Sequence, residues 1–186
     1  METRRTMGSV VFEVFPSNSL EVGLWMESER LMHPVINQIG VDTQNEVVKE
    51  EKRLRVDNQP YGSLIAEVKK NMFKVHPYRW APIGSMEHLD AATLEEFQAF
   101  NKKFYSPNNA VLVVAGQIDV AQTKAWIQKY FGAIPRGEKI TKQTFVEEPI
   151  TETIKARFED PNIQIPMVVA SYRTPSMKTR DARILD

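Results

Sequence analysis

Apolar and polar residues recur along this chain with two periods, one typical of strands and the other typical of helices. Strands are predicted where the two types alternate or where a β-branched run is continuous, at 7–15, 110–115, 151–158 and 163–172. Amphipathic helices are predicted where apolar residues recur three and four positions apart, at 17–30, 43–57, 61–73, 93–104 and 119–131. Helices and strands therefore alternate along most of the chain.

Two Thr-x-x-Glu sequences match the capping box, in which a hydroxyl and a carboxylate exchange hydrogen bonds with the first turn of a helix. Thr43 therefore predicts the start of one helix, which should end at 58–60, and Thr93 predicts the start of another. In the second helix Phe97, Phe100 and Phe104 recur at helical spacing, which is typical of rings packed in a core.

The helix that begins near Thr43 has carboxylates within its apolar stripe. At 100° per residue, Val47 and Leu54 define the inward side, and both Glu50 and Glu51 flank that line. The residues predicted to point away are basic, namely Lys49, Lys52 and Arg53. A buried carboxylate must be paired, hydrogen-bonded or metal-bound. The alternative is a set of solvated charges whose i,i+4 pairs contribute about 0.2 to 0.5 kcal/mol each.

A series of short motifs runs along the chain in a fixed order: Glu27-Ser28-Glu29-Arg30-Leu31, Val47-Val48-Lys49-Glu50-Glu51, Asp57-Asn58-Gln59-Pro60-Tyr61-Gly62, His76-Pro77-Tyr78-Arg79-Trp80, Phe104-Tyr105-Ser106-Pro107-Asn108-Asn109-Ala110, Val113-Val114-Ala115-Gly116 and Tyr130-Phe131-Gly132. In order and separation this set resembles the insulinase/pitrilysin family of zinc metallopeptidases. The resemblance implies an α+β fold, with a mixed, largely antiparallel sheet and packed helices, which we expect to continue beyond both ends of the chain.

The resemblance also implies a division of the chain. Residues 1–137 are expected to be the C-terminal part of a peptidase-like α/β half-domain, and residues 150–186 the start of the following half-domain. The segment between them, 138–149, is interpreted as a linker because the composition becomes charged and β-prone after Pro135.

In the resembled family, two histidines of an inverted His-x-x-Glu-His helix and a distant glutamate hold zinc, and the glutamate of the motif activates the zinc-bound water. The Val-Val-Lys-Glu register implies that the distant glutamate is Glu50, with Glu51 as the second candidate. The histidines, His33, His76 and His88, lack the spacing of the motif. Because a catalytic zinc needs three protein ligands, we expect no catalytic residue and no bound zinc in this chain, although the parent protein would use zinc to hydrolyse peptide bonds.

A second hypothesis is a non-catalytic partner or scaffold subunit of a peptidase-like complex, because some relatives lack the catalytic motif. Thr43 stands seven residues before Glu50, where many family members have a further acid, and a hydroxyl brings no charge. The resemblance implies a homologous second peptidase-like domain or subunit as partner and, for a parent that is a peptidase, a peptide as substrate. Arg79 is the candidate for the substrate cleft, and the alternative is a cation–π contact that shapes its loop.

Composition narrows these possibilities only a little. The chain has 24 basic and 24 acidic residues, so its charge does not argue for nucleic acid. It has no apolar run of the length that a membrane span needs. Because it has no cysteine, disulfides and thiol chemistry are excluded. The absence of cysteine does not decide whether the protein is found in the cytoplasm or in the periplasm or cell envelope.

Overall fold

The computed structural model describes residues 9–141, 143–176 and 179–185. The α-helices over these ranges are α1 (Leu20–Met32), α2 (Gln38–Lys52), α3 (Leu64–Met72), α4 (Met86–Ala91), α5 (Leu94–Phe104), α6 (Val120–Phe131) and α7 (Arg180–Leu185). A π-helix, Arg53–Asp57, continues α2, and short 3-10 helices occupy Ser17–Ser19, Pro77–Arg79 and Pro107–Asn109. All five predicted helices are therefore present, with bounds that differ by up to five residues.

The predicted sheet is absent from the described part of the chain, so the α+β prediction, with its largely antiparallel sheet, is wrong. The segments 110–115, 151–158 and 163–172 are irregular, as is 9–15, while residues 7 and 8 of the first predicted strand lie outside the described residues. Side chains there are largely solvated, since Val111 is 89% exposed and Val168 is 98% exposed. A β-branched run favours extended backbone, but a strand also needs a neighbour with which its N–H and C=O groups pair.

The chain forms two compact units, each made of two separate stretches of sequence. One unit is Met1–Asn37 with Thr93–Thr141, and the other is Gln38–Ala92 with Lys142–Asp186. In the first unit α1 packs against α6, and in the second α2 packs against α4. The division into half-domains at residues 137 and 150, which concerns the order of domains in a longer protein, stays a prediction.

The core of the first unit lies along one side of α1. Leu20 and Leu24 are 7% and 3% exposed, and Thr123 of α6 is buried as well. Gly23 lies on the same side, where a Cβ would come within 2.2 Å of the ring of Phe15. A side chain at position 23 would therefore require the Phe15 ring to move.

The two predicted capping boxes have different outcomes. Thr93 is confirmed as the N-cap of α5, because its Oγ1 accepts a hydrogen bond from the amide of Glu96, and the carboxylate of Glu96 accepts one from the amide of Thr93. The prediction for Thr43 is wrong, because α2 already begins at Gln38. There the hydroxyl of Thr43 donates to the carbonyl of Ile39, one turn earlier in the same helix, at 2.7 Å.

Much of the apolar surface of the chain is exposed. Phe97 and Phe100 of α5 are 37% and 56% exposed, so their interpretation as core residues is wrong. None of the helices in the described ranges has the length and apolarity that a bilayer crossing requires.

Candidate functional site

The buried side of α2 is the side that the sequence predicts to face solvent. Val41 is 6% exposed, and the side chains of Lys49 and Lys52 keep only 14% and 16% of their accessible surface. Val47 and Leu54, by contrast, are 54% and 57% exposed. The predicted orientation of this helix is therefore wrong.

The reason for this orientation lies in α4. Lys49 Nζ lies 2.5 Å from the Asp90 carboxylate and donates to Glu46 Oε1 at 2.7 Å. These hydrogen bonds, first the one to Asp90 and then the one to Glu46, raise the pKa of the Lys49 ammonium group. Asn45 Nδ2 adds a hydrogen bond to the Leu89 carbonyl at 3.1 Å. A long lysine stem covers apolar surface while its charged end finds a partner, so lysine can occupy the packed side of a helix.

Both candidate carboxylates lie at the surface in ion pairs within their own helix. Glu50 Oε2 accepts a hydrogen bond from Arg53 Nη1 at 3.2 Å, and Glu51 Oε1 lies 2.8 Å from Arg55 Nη1. The Glu50 side chain is 57% exposed and the Glu51 side chain 39% exposed. Exposed pairs three or four residues apart contribute only about 0.2 to 0.5 kcal/mol. A stronger ligand could therefore displace either arginine at little cost.

Glu50 belongs to an exposed strip of α2 that Glu51 does not share. Ile39, Thr43, Val47 and Glu50 are all exposed, and at 100° per residue they fall within a sector of about 80°. Ile39 is the most exposed apolar residue of the strip, at 79%. Glu51 lies outside this sector, about 100° round the helix from Glu50. The structure thus distinguishes Glu50 from Glu51, which the helical periodicity of the sequence did not.

A strained turn closes the helix about two turns after these acids. The Asn58 amide donates to the Arg53 carbonyl at 2.9 Å, which is the five-residue spacing of a π-helix. Tyr61 has φ of 61°, and a Cβ on Gly62 would lie 2.0 Å from the Val56 carbonyl oxygen. The predicted end of the helix at 58–60 is confirmed, and Gly62 is required where the chain passes this carbonyl.

Arg79, the candidate for the substrate cleft, lies in the 3-10 helix Pro77–Arg79. Its Nη1 donates to the Lys74 carbonyl at 2.8 Å, and its guanidinium carbon lies 5.8 Å from the ring centroid of Trp80. The cation–π contact that the sequence offered as the alternative is therefore present. Tyr78 and Trp80 on either side are 49% and 61% exposed.

The three histidines do not meet at one site. His33 Nδ1 lies 2.9 Å from the Glu29 carboxylate, whereas the Nδ1 of His76 accepts a hydrogen bond from the Tyr78 amide at 3.2 Å. His88 lies in the first turn of α4. No group of three or more histidine, aspartate or glutamate side chains is placed to hold a metal within the ranges that the structure describes.

Comparisons with known proteins decide the family. Residues 91–186, more than half of the chain, match the family described as Peptidase M16 inactive domain. This chain belongs to the peptidase M16 family. The resemblance read from the motifs is confirmed, and the part of this M16 chain from residue 91 onward corresponds to a domain described as inactive.

Among curated proteins, the M16 chain is 29% identical over 145 residues to "Zinc protease PqqE" of Helicobacter pylori. The aligned region covers 77% of this chain and 33% of that protein. It is 31% identical over 93 residues to an uncharacterized zinc protease of Mycobacterium leprae, covering 50% of the chain and 21% of that protein. The chain thus spans about a third or less of the length of these relatives.

Two solved structures are similar to the M16 chain. One is a protease from Helicobacter pylori, with a TM-score of 0.66 and 25% identity, which covers 72% of this chain and 32% of that one. The other is the first half of the periplasmic protease PqqL from Escherichia coli, with a TM-score of 0.62 and 20% identity, which covers 75% of this chain and 30% of that one. At 20% identity the likeness to PqqL concerns the fold alone.

Within the region that matches the M16 inactive domain, the structure reveals a carboxylate that sequence reasoning missed. Glu147 accepts hydrogen bonds from the amides of Lys74, Val75 and His76, and Arg173 lies 3.4 Å from it. Burial by itself would raise the pKa of Glu147, but the amides of His76, Lys74 and Val75, together with the charge of Arg173, lower it to about 2. The only sequence signal was the charged segment interpreted as a linker, in which nothing distinguishes Glu147 from Glu148.

Proposed function

We propose that this chain is the part of a zinc-dependent M16 metallopeptidase that contributes the third zinc ligand, Glu50. The two histidines and the general base would come from residues other than these 186. The observation that carries the proposal is the exposed strip of α2, which presents the Glu50 carboxylate between apolar side chains that no described residue of its unit buries. The names of the relatives, which are zinc proteases, support the zinc dependence of the parent.

The residues of the strip suit this role. Glu50 supplies an oxygen ligand and a negative charge, and its pair with Arg53 is weak enough to be exchanged for a metal. Ile39 and Val47 would exclude water once the strip is covered. Zinc, when bound, would lower the pKa of its water from 15.7 to about 7 and polarise the substrate carbonyl. One carboxylate cannot hold a catalytic zinc, so the reaction would need the complete protein and a peptide substrate.

Glu50→Gln and Glu51→Gln test the assignment as a matched pair in the complete protein. Each removes one carboxylate from one exposed ion pair, so both should change the free energy of unfolding of the metal-free protein by no more than about 0.5 kcal/mol. Glu50→Gln should abolish zinc binding and peptide hydrolysis together. Glu51→Gln should lower them by about 10- to 100-fold or less, as for a residue outside the coordination sphere.

Zinc content and peptidase rate of the two variants, measured side by side, give the answer. Zinc that is lost from the Glu51 variant and retained in the Glu50 variant would reverse the assignment. Full zinc occupancy and activity in both variants would reject α2 as the source of the ligand. Unfolding curves of the metal-free variants that match that of the metal-free wild type would show that any loss comes from the metal site and not from the fold.

We also propose that Arg79 lies near the substrate cleft of the parent, flanked by the exposed rings of Tyr78 and Trp80. Arg79→Ala should then raise KM for a peptide while leaving the zinc content unchanged. If KM and kcat both keep their wild-type values, Arg79 serves only the loop contacts that it makes with Lys74 and Trp80.

The second candidate function is a non-catalytic partner of a homologous peptidase-like domain or subunit. It is favoured by the match to the inactive domain and by Thr43, whose hydroxyl is engaged by the Ile39 carbonyl and brings no charge to the strip. The remaining sequence of the protein discriminates between the two. A His-x-x-Glu-His helix with stoichiometric zinc supports the enzyme, whereas a protein that lacks both and copurifies with an active peptidase subunit supports the partner.

A further inference from the structure

Three consecutive backbone amides converge on one carboxylate in the second unit. They belong to Lys74, Val75 and His76, in the loop that follows α3. Glu147 Oε2 accepts from the Lys74 amide at 3.1 Å, and Oε1 accepts from the Val75 amide at 2.5 Å and from the His76 amide. Successive N–H groups that point to one place form a concave site for an anion. The loop thus has the chemistry of an anion-binding nest.

Arg173 adds a positive charge to this site. Its Nε donates to the Met72 carbonyl at 2.7 Å, and its Nη1 donates to the Glu148 carbonyl at 2.6 Å. Its guanidinium carbon lies 5.3 Å from the ring centroid of Phe73. Because Met72 is the last residue of α3, a cation there stabilises the negative end of the helix dipole. Arg173 therefore serves the carbonyl end of the helix while Glu147 serves the amides that follow.

This ion pair differs from the surface pairs of α2 in its burial. The side chains of Glu147 and Arg173 are 12% and 21% exposed, whereas those of Glu50 and Arg53 are 57% and 48% exposed. Solvent screens a half-buried charge less than an exposed one, and hydrogen bonds to an ionised acceptor are about twice as strong as neutral ones. A single carboxylate thus makes the main polar contact between residues 143–148 and the loop.

We propose that the amides of Lys74, Val75 and His76, together with Arg173, form a carboxylate-binding nest whose resident ligand is Glu147. Glu147 is then a positioning residue, which holds the loop that leads to Tyr78, Arg79 and Trp80. When the Glu147 side chain is removed, the nest should accept a small carboxylate from solution.

Chemical rescue by formate tests the nest in the complete protein. Glu147→Ala should lower Tm and shift the amide resonances of residues 74–76. Sodium formate should then restore both in a saturable manner, whereas sodium chloride at equal ionic strength should not. The matched control is Glu148→Ala, which removes the neighbouring exposed carboxylate and should show neither the fall in Tm nor the response to formate.

Two further variants keep the test decisive if Glu147→Ala fails to fold. Hydrogen exchange of the backbone amides of residues 74–76 should be slow in the wild type. It should be faster in Glu147→Gln, because the glutamine side chain has no charge, and intermediate in Glu147→Asp. The proposal is overturned if Glu147→Gln protects these amides as well as the wild type does. It is also overturned if Glu147→Ala folds and formate affects it no more than it affects Glu148→Ala.

Discussion

Thr93 and Thr43 offer a test of how the same local sequence acts in two structural settings. Both precede a glutamate by three residues, but Thr93 caps α5 whereas Thr43 lies inside α2. Replacing each with alanine removes the same hydroxyl and methyl group. We expect Thr93→Ala to destabilise the protein and Thr43→Ala to leave its stability unchanged or slightly improved.

The magnitudes follow from the contacts that each hydroxyl makes. Thr93 Oγ1 accepts from the Glu96 amide at 3.3 Å, and this amide has no partner within the helix once the hydroxyl is gone. Because the site is exposed, water replaces part of the loss, and the cost is about 1 kcal/mol. Thr43 donates to Ile39 at 2.7 Å, but alanine has the higher helix propensity by up to about 0.7 kcal/mol. The two effects at Thr43 should nearly cancel.

Urea denaturation followed by far-UV circular dichroism measures the difference, and hydrogen exchange in the first turn of α5 locates it. A difference of about 1 kcal/mol changes the folding equilibrium roughly fivefold. Thr93→Ser, which keeps the hydroxyl, should behave like the wild type. Equal losses for the two alanine variants would refute the reasoning, because the cost would then not depend on the position of the hydroxyl relative to the helix.

Three further outcomes are expected. The pKa of Glu147 is lowered from 4.5 to about 2 in the folded protein. Its stabilising contribution is therefore complete above pH 4.5 and is lost as the pH falls toward 2. Between these pH values, the free energy of unfolding should change less steeply with pH in Glu147→Gln than in the wild type. Leu24→Ala should lower the free energy of unfolding, measured by chemical denaturation, by about 2 to 5 kcal/mol, because Leu24 is 3% exposed in the core beside α1. Val22 is 54% exposed, so Val22→Ala should change this free energy by no more than about 0.5 kcal/mol. The exposed apolar surface should make the isolated chain self-associate, and light scattering that reports only monomer at high concentration would contradict this.

The family and some helix ends could be predicted from the sequence alone. The ordered motifs predicted the M16 family, and the cap at Thr93 and the helix end at 58–60 were predicted from residues a few positions apart. Such signals are local, because a capping hydroxyl, a proline or a required glycine acts on its own turn of backbone.

Tertiary contacts decided which side of each element is buried. Periodicity showed that α2 has two different faces, but Asp90 and the Leu89 carbonyl of α4 hold Lys49 and Asn45 on the packed face. Glu50 was therefore found on an exposed strip and not in a core. The sequence pattern does not contain this information, because the partners lie some 40 residues away and a lysine stem packs as readily as it is solvated.

The sequence by itself determined the family and the presence of most helices, since both depend on short motifs and local residue patterns. The tertiary structure alone decided that β-prone runs such as 110–115 have no strand partner among the described residues, and that Glu147 meets three amides more than 70 residues before it. Strand pairing and a carboxylate in a nest both require two distant stretches of chain to meet. Residue types specify what each stretch can bind, and the fold decides which partner it reaches.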